Sequence, residues 1–361
     1  MNTSNIRILE IDTKEFKNNI LKIQKYVGNE ITVMPIIKAD GYGTYIDKKL
    51  ELIKDFKIVG VANCEEGENL RKIGFENEIF VLNQPFEDEI EKIIENNLTI
   101  GICRIEFIEK LIEYNKIVKV HLEIDTGMGR TGINSNELEK IIEKLGKNIK
   151  VEGIYTHFSS ADSDFEYTQK QIDIFNEAIK ECEKLLGKIK YKHAAASNGI
   201  INFENSHFNM VRPGILIYGY KSFDEVYEKI IVKPIAKLKC RITYIKEVDE
   251  GTSISYGRKF ITNKKTKVAT IPIGYADGIR RQLSNDGYVV INSKKARIIG
   301  TVCMDNIMVD ITDVDNVNVG DYVYIWDNEI IRLEEIAEKC DTINYEILSN
   351  ISDRVKREFV L

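Results

Sequence analysis

Long apolar runs are missing from this sequence: nowhere do about 18 or more apolar residues follow one another, so no membrane-spanning helix is expected. The opening Met1-Asn2-Thr3-Ser4-Asn5 has neither a basic n-region nor an apolar h-region, and the expected compartment is the cytoplasm. A basic excess is also missing. With 51 Lys and Arg against 57 Asp and Glu, the formal net charge of −6 leaves no electrostatic footprint for nucleic acid. The 6 cysteines stand singly, without the close pairs of a zinc site and too thinly for a disulfide framework, so reduced and mostly buried thiols are expected. There is no internal repeat, low-complexity tract or long linker.

What is present is globular: 43% hydrophobic and 30% charged residues over 361 positions, a length that suits a barrel of roughly 250 residues plus a smaller domain. One stretch organises the rest. Val33-Met34-Pro35-Ile36-Ile37 is a nearly continuous apolar run, as in a strand buried on both faces, and it ends in Lys38-Ala39-Asp40-Gly41-Tyr42-Gly43. The glycines are turn chemistry, which puts Lys38 at the C-terminal lip of the strand, where parallel α/β sheets and barrels keep their sites. Desolvation there lowers an ammonium's pKa and makes the amine a better nucleophile toward an aldehyde.

Apolar runs return near 57–62, 79–82, 98–102, 117–124, 151–155, 190–195 and 208–217, separated by amphipathic segments. With the run at 31–37 they make eight, the count of a (β/α)8 TIM barrel. Asp12 or Thr13 can cap a helix whose Phe16, Ile20, Ile23 and Val27 make one apolar stripe, and between the strands helical spacing is strongest over 138–145 and over 168–186 before Gly187. Near residue 235 the period changes to two: Ala236, Leu238, Cys240, Ile242 and Tyr244 alternate with polar residues. Further strands are expected at 267–273, 287–293, 296–303, 307–311 and 321–326, with a helix near 333–340. The fold class is therefore α/β, a barrel over 12–232 followed by a mainly antiparallel β-domain over 233–361, which the N-terminal strand 1–11 is expected to join.

Polar residues collect just past the barrel strands: Lys38, Arg130, His157, Ser197 and Arg212. A barrel brings such lip positions to one rim, and its last two loops are the usual phosphate cradle. Ser197 and the backbone N–H groups of Gly214 and Ile215 suit a phosphate monoester. A lysine for an aldehyde, a cradle for a phosphate and an arginine between them point to pyridoxal phosphate. Taken singly, His157 reads as a core histidine, Tyr345 as a core aromatic and the Arg130 loop as a solvated turn, readings that the joint pattern reverses; Cys303, with nothing nearby in sequence to activate it, is expected to be buried filler.

Eight ordered motifs then make a resemblance: IIKADGYG at 36–43, DTGMGRTG at 125–132, YTHFSSAD at 155–162, RPGILIYG at 212–219, SYGR at 255–258, IPIGYADG at 271–278, VCMD at 302–305 and TINYE at 342–346. With these the chain resembles the bacterial alanine racemases from its first strand to its end. The resemblance implies a pyridoxal 5'-phosphate enzyme that interconverts L- and D-alanine and supplies D-alanine for peptidoglycan, working as a homodimer with shared sites. It implies that Lys38 holds the cofactor covalently, that Tyr42, Ser197, Gly214, Ile215 and Tyr345 hold its phosphate, and that Arg212 meets its ring nitrogen. Tyr256 is then the second catalytic base, Arg130 and the Met304 N–H bind the substrate carboxylate, and His157 links Tyr256 to Arg212. Two bases are needed because a single one tends to return the proton to the face it left. A tyrosine with a reference pKa of about 10 needs cationic neighbours, a bias expected from His157 and Arg212.

The chain departs from the family pattern at Thr44-Tyr45, where a histidine is common, at Ala196, where asparagine is common, and at Glu123, where many members have a lysine that becomes carbamylated. Glu123 is expected to supply that charge in fixed form by pairing with Arg130. The rival functions are a serine or broader-specificity racemase, a non-catalytic pyridoxal phosphate carrier protein, which lacks the β-domain, and a decarboxylase of similar architecture. A bulky phenol at Tyr345 favours alanine.

Overall fold

The computed structural model describes residues 5–221 and 229–361; residues 1–4 of the expected N-terminal strand and 222–228 of the expected barrel segment lie outside the described residues. Strand β1 (Arg7–Asp12) leads into a helix over Thr13–Val27, capped by Asp12, whose carboxylate accepts the Glu15 N–H at 2.8 Å. Of the predicted stripe, Phe16, Ile23 and Val27 are buried and Ile20 is half-buried against the core.

Eight parallel strands follow: β2 (Thr32–Val33), β3 (Ile58–Val61), β4 (Glu78–Val81), β5 (Thr99–Ile102), β6 (Val118–Glu123), β7 (Ile149–Tyr155), β8 (Tyr191–Ala196) and β9 (Met210–Arg212). Their order is β2-β9-β8-β7-β6-β5-β4-β3, and Ile36 closes the ring by a parallel bridge to Gly60. The first barrel strand is regular over two residues rather than over the expected 31–37. Pro35 has no N–H, so the ladder cannot run through it. The chain changes partners instead: the Met34 and Ile36 N–H groups donate to Val211 and Pro213, and Ile37 N–H donates to Gly60. The Ile36 bridge to Gly60 carries the pairing to the end of the run, and Ile37, with ψ of 22°, bends the chain into Lys38. The helices between strands include 138–143 and 165–186, the second ending at Gly187 with φ of 79°.

The β-domain is built on a six-stranded sheet in the order β16-β15-β18-β10-β1-β19. Its members are β1, β10 (Ala236–Arg241), β15 (Tyr288–Ile291), β16 (Lys294–Arg297), β18 (Tyr322–Trp326) and β19 (Lys356–Val360). Only the pair β1 and β19 is parallel. The alternation read in the sequence is the alternation of burial in β10. A second sheet joins β11 (Tyr244–Val248), β14 (Thr266–Ile271) and β17 (Ile307–Asp310), and β12 (Ser253–Ile254) pairs with β13 (Phe260–Ile261).

Two expectations fail here. The strand expected over 296–303 ends at Arg297, and the chain beyond it makes one bridge, Ile298 to Val309, before turning at Gly300 with φ of 79°. Apolar content alone could not distinguish a strand from this buried loop. A helix over Asn344–Ser349 follows the expected one, which spans Leu333–Lys339. It is this second helix that lies against the barrel mouth. All 6 cysteines are free, and four of them are buried, with Cys103 and Cys303 partly exposed.

Candidate active site

Lys38 leaves its strand into an unusual turn. Ala39, Asp40, Gly41, Tyr42 and Gly43 have φ of 54°, 53°, 59°, 56° and 78°, a left-handed helical turn closed by Gly41 N–H to Ile37 O and Gly43 N–H to Ala39 O. The three residues with a Cβ each oppose that geometry by about 1–2 kcal/mol, so surrounding contacts must hold it. Glu66, on a helix capped by Asn63, is one: its carboxylate accepts the Ala39 and Ala62 N–H groups at 2.9 and 2.7 Å. Gly43 is another, since a Cβ there would lie 2.5 Å from the Leu348 carbonyl.

The turn opens on a cavity of about 330 Å³ at the C-terminal end of the barrel, lined among others by Lys38, Tyr42, His157, Ser197, Arg212, Gly214, Ile215 and Tyr345. The eight residues that the sequence assigns to the cofactor thus share one space. Burial lowers the basicity of the Lys38 ammonium, and Arg130 and Arg212 lower it further against an opposing pull from Glu66. Ser197 Oγ accepts the Gly214 and Leu216 N–H groups at 3.1 and 3.3 Å. Ile215 opens the short helical turn 215–218, where its own N–H has no intrahelical acceptor. A Cβ on Gly214 would come within 2.3 Å of the Tyr42 hydroxyl, so glycine is required for this approach. The Tyr42 ring packs 4.7 Å from Tyr218 and 6.1 Å from Tyr345, centroid to centroid.

Arg212 is buried and held from several sides. One guanidinium nitrogen donates to Thr156 O, Ala194 O and His157 Nδ1 at 2.7, 2.9 and 3.2 Å, and the other to His193 Nδ1 at 2.9 Å. Because guanidinium only donates, His193 Nδ1 accepts and its proton sits on Nε2, which faces His121 Nδ1 at 2.8 Å. His121 in turn carries its proton on Nε2, which has no partner among the described residues. Burial, followed by Glu152, Lys190 and Arg212 in mixed directions, brings the His121 pKa down to about 3. His157 is also lowered to about 3, by burial and then by Arg212, Arg130 and Lys38. The positive bias expected from His157 is therefore absent: the ring is neutral, and cationic charge at the rim comes from Arg212 and Arg130. Burial lowers Arg212 itself to about 10, which still leaves it protonated at neutral pH.

His121, His193 and Glu66 were not singled out in the sequence. A histidine inside an apolar parallel strand was the available signal for the first two, at 121 in β6 and 193 in β8. Nothing in the sequence ties Glu66 to Lys38.

Glu123 is buried, but no ion pair with Arg130 forms among the described residues; Oε1 accepts from Thr131 Oγ1 at 2.9 Å, and Oε2 has no partner. Burial pushes this carboxyl up, while Thr131, Tyr155, Arg130 and Arg212 pull it down. The expected direct pair is not formed; the bond goes instead to Thr131, the residue next to Arg130. Arg130 itself is exposed.

Beneath the turn, Asp47 Oδ1 is buried without a hydrogen-bond partner. Burial, helped by Asp40, pushes its carboxyl up to about 7. The folded state therefore binds more protons than the unfolded chain between about pH 4 and 7, so stability falls as pH rises through that window and levels off above it. Asp47→Asn is expected to raise unfolding free energy by on the order of 2–4 kcal/mol at pH 8 and to change little at pH 4, as urea melts at the two pH values would read.

Tyr256 and Met304 lie elsewhere. They line a separate depression of about 250 Å³ on the β-domain with Ser255, Cys303, Asp305 and Asn306. Tyr256 is 71% exposed and Met304 52%. Their backbone is held in place: Ser255 Oγ donates to Thr301 O, Thr301 Oγ1 donates to Tyr256 O, and Met304 O accepts the Ala276 N–H. The chain thus carries a cavity with a lysine and a separate depression with a tyrosine.

Two family models match: "Alanine racemase, N-terminal domain" over residues 11–222 and "Alanine racemase, C-terminal domain" over 235–359. The chain is 40% identical to an alanine racemase of Halothermothrix orenii, over 97% of this chain and 96% of that protein. Its fold is similar to that of a solved alanine racemase of Clostridium difficile 630, with TM-score 0.93, 33% identity and coverage of 99% and 96% of the two chains. A solved Bartonella henselae alanine racemase, described as having covalently bound pyridoxal phosphate, matches with TM-score 0.90 at 27% identity over 99% and 100%.

Proposed function

The chain belongs to the alanine racemase family, and from that premise we propose that it interconverts L- and D-alanine with pyridoxal 5'-phosphate, in the cytoplasm and as a homodimer. The observation that carries this reading is the convergence of Lys38, Tyr42, Ser197, Arg212 and Gly214 on one cavity. The residues present fit the cofactor. A half-buried amine of lowered basicity suits its aldehyde, the Gly214 approach leaves room for a phosphate beside the Ile215 N–H, Ser197 and Tyr42, and Arg212 can face the ring nitrogen without surrendering a proton. When bound, pyridoxal phosphate withdraws electrons from the amino acid's Cα and makes its proton acidic.

The protein's own groups do the rest. Arg130 meets the substrate carboxylate from the exposed rim, and the Met304 N–H adds a second donor. Lys38 Nζ takes or returns the Cα proton on one face and the Tyr256 phenol acts on the other. Burial favours the neutral amine at Lys38, the form that can accept a proton. Because Tyr256 and Met304 sit on a platform away from the cavity of their own chain, a head-to-tail dimer would bring one subunit's platform to the other's cavity. Glycerol-gradient or light-scattering mass and a racemisation assay with a panel of L-amino acids test the proposal. L-Alanine is expected to turn over fastest; L-serine at an equal or higher kcat/KM would replace alanine as the substrate.

A further inference from the structure

The left-handed turn after Lys38 needs restraint, and part of it comes from Tyr45, just after the turn, from Asp353, 308 residues further along the chain, and from Arg357 beyond it. Tyr45, itself at φ of 63°, lies two residues past the turn. Its hydroxyl bonds to Asp353 Oδ1, and the Arg357 Cζ lies 4.3 Å from its ring centroid. Arg357 is saturated with backbone carbonyls: Nε donates to Gly43 O at 2.9 Å, Nη1 to Ser352 O and Val355 O at 2.6 and 2.8 Å, and Nη2 to Ile351 O at 2.5 Å. One guanidinium therefore ties the last residue of the turn to the loop entering β19. The Tyr45 N–H donates back to Asp40 O at 2.8 Å, so the tyrosine grips the turn through its backbone and the β-domain through its side chain.

We propose that Tyr45, Asp353 and Arg357 form an intrachain clamp that holds the turn 39–43 in its strained form, making Tyr45 and Arg357 positioning residues for Lys38 and Tyr42. The inference rests on the reading of Lys38 as the reactive amine only for its effect on turnover; the clamp is defined by the backbone it holds. The physical reasoning is that Ala39, Asp40 and Tyr42 would relax toward right-handed conformations if released, and both Lys38 Nζ and the Tyr42 hydroxyl would then leave the cavity geometry.

The test uses the full-length protein with Tyr45→Leu, Tyr45→Phe and the double variant Tyr45→Leu/Ala39→Gly, since Arg357→Ala removes four backbone bonds and risks general unfolding. Hydrogen exchange in peptides covering residues 37–46 is expected to quicken about tenfold in Tyr45→Leu, and less in Tyr45→Phe, while peptides from β6 and β7 keep their rates. In the cofactor-loaded protein kcat should fall about fivefold or more with KM nearly unchanged, the signature of a displaced reacting group. Ala39→Gly should restore much of the protection and the kcat, because glycine takes positive φ without opposition. Unchanged exchange in Tyr45→Leu, equal loosening of the barrel strands, or no recovery on adding Ala39→Gly would each overturn the clamp. Should the wild-type protein trap no cofactor on Lys38, the reading of Lys38 fails while the exchange measurements still decide the clamp.

Discussion

Lys38→Ala is expected to abolish borohydride trapping of pyridoxal phosphate and to reduce alanine racemisation by about 10⁴ or more, beyond the 10²–10⁴ usual for a positioned acid or base because a covalent anchor goes with it. Lys38 is the only primary amine among the residues lining the barrel cavity. Its basicity is lowered first by burial and then by Arg130 and Arg212. The sign has a measurable consequence. The neutral amine is available at lower pH than for an exposed lysine, so the rate of modification of Lys38 by an amine reagent in cofactor-free protein should rise at a pH below the usual lysine range. Replacing Arg130 with Met should move that midpoint upward. A trapped cofactor in Lys38→Ala, found by peptide mapping, would remove Lys38 from the site.

The positions of Lys38 and Ser197 were legible because each follows an apolar run, and Arg212 because it interrupts the run 208–217; a parallel barrel sends the C-terminal ends of its strands to one rim. The helix stripes of Phe16 to Val27 and over 168–186 were legible for a different reason: a period of about 3.6 survives in a sequence without any knowledge of neighbours. What was hidden depends on pairs of segments. The Arg212, His193 and His121 chain joins β9, β8 and β6, and no local spacing reports it. The left-handed turn looks like an ordinary glycine turn until Ala39 and Asp40 are found at positive φ, held there by Glu66 from one side and Arg357 from the other. Glu123 shows the limit in energetic form: the need for a partner was evident, but Thr131 rather than Arg130 supplies it.

Tyr256→Phe is expected to slow proton abstraction from L-alanine by about 10²–10⁴ and from D-alanine far less, since it removes one of two bases acting on opposite faces. Rates of Cα exchange with deuterated solvent, started from each isomer, read this directly; equal losses would leave Tyr256 a structural role. The same variant tests how the site is assembled. Tyr256 is exposed on the β-domain and absent from the cavity that holds Lys38 in its own chain. If each working site combines Lys38 of one subunit with Tyr256 of another, then inactive Lys38→Ala and inactive Tyr256→Phe proteins, mixed and allowed to exchange subunits, form a hybrid dimer with one intact site and one doubly defective site. Random exchange of equal amounts makes half of the dimers hybrid, and half of the sites in those dimers are intact, so about a quarter of wild-type activity per site should return. Were both residues supplied by the same chain, every site in the mixture would retain one lesion and no activity would return. The first arrangement is the expected one because Tyr256 lines a depression that shares no lining residue with the barrel cavity of its own chain, and its backbone carbonyl is held there by Thr301 Oγ1.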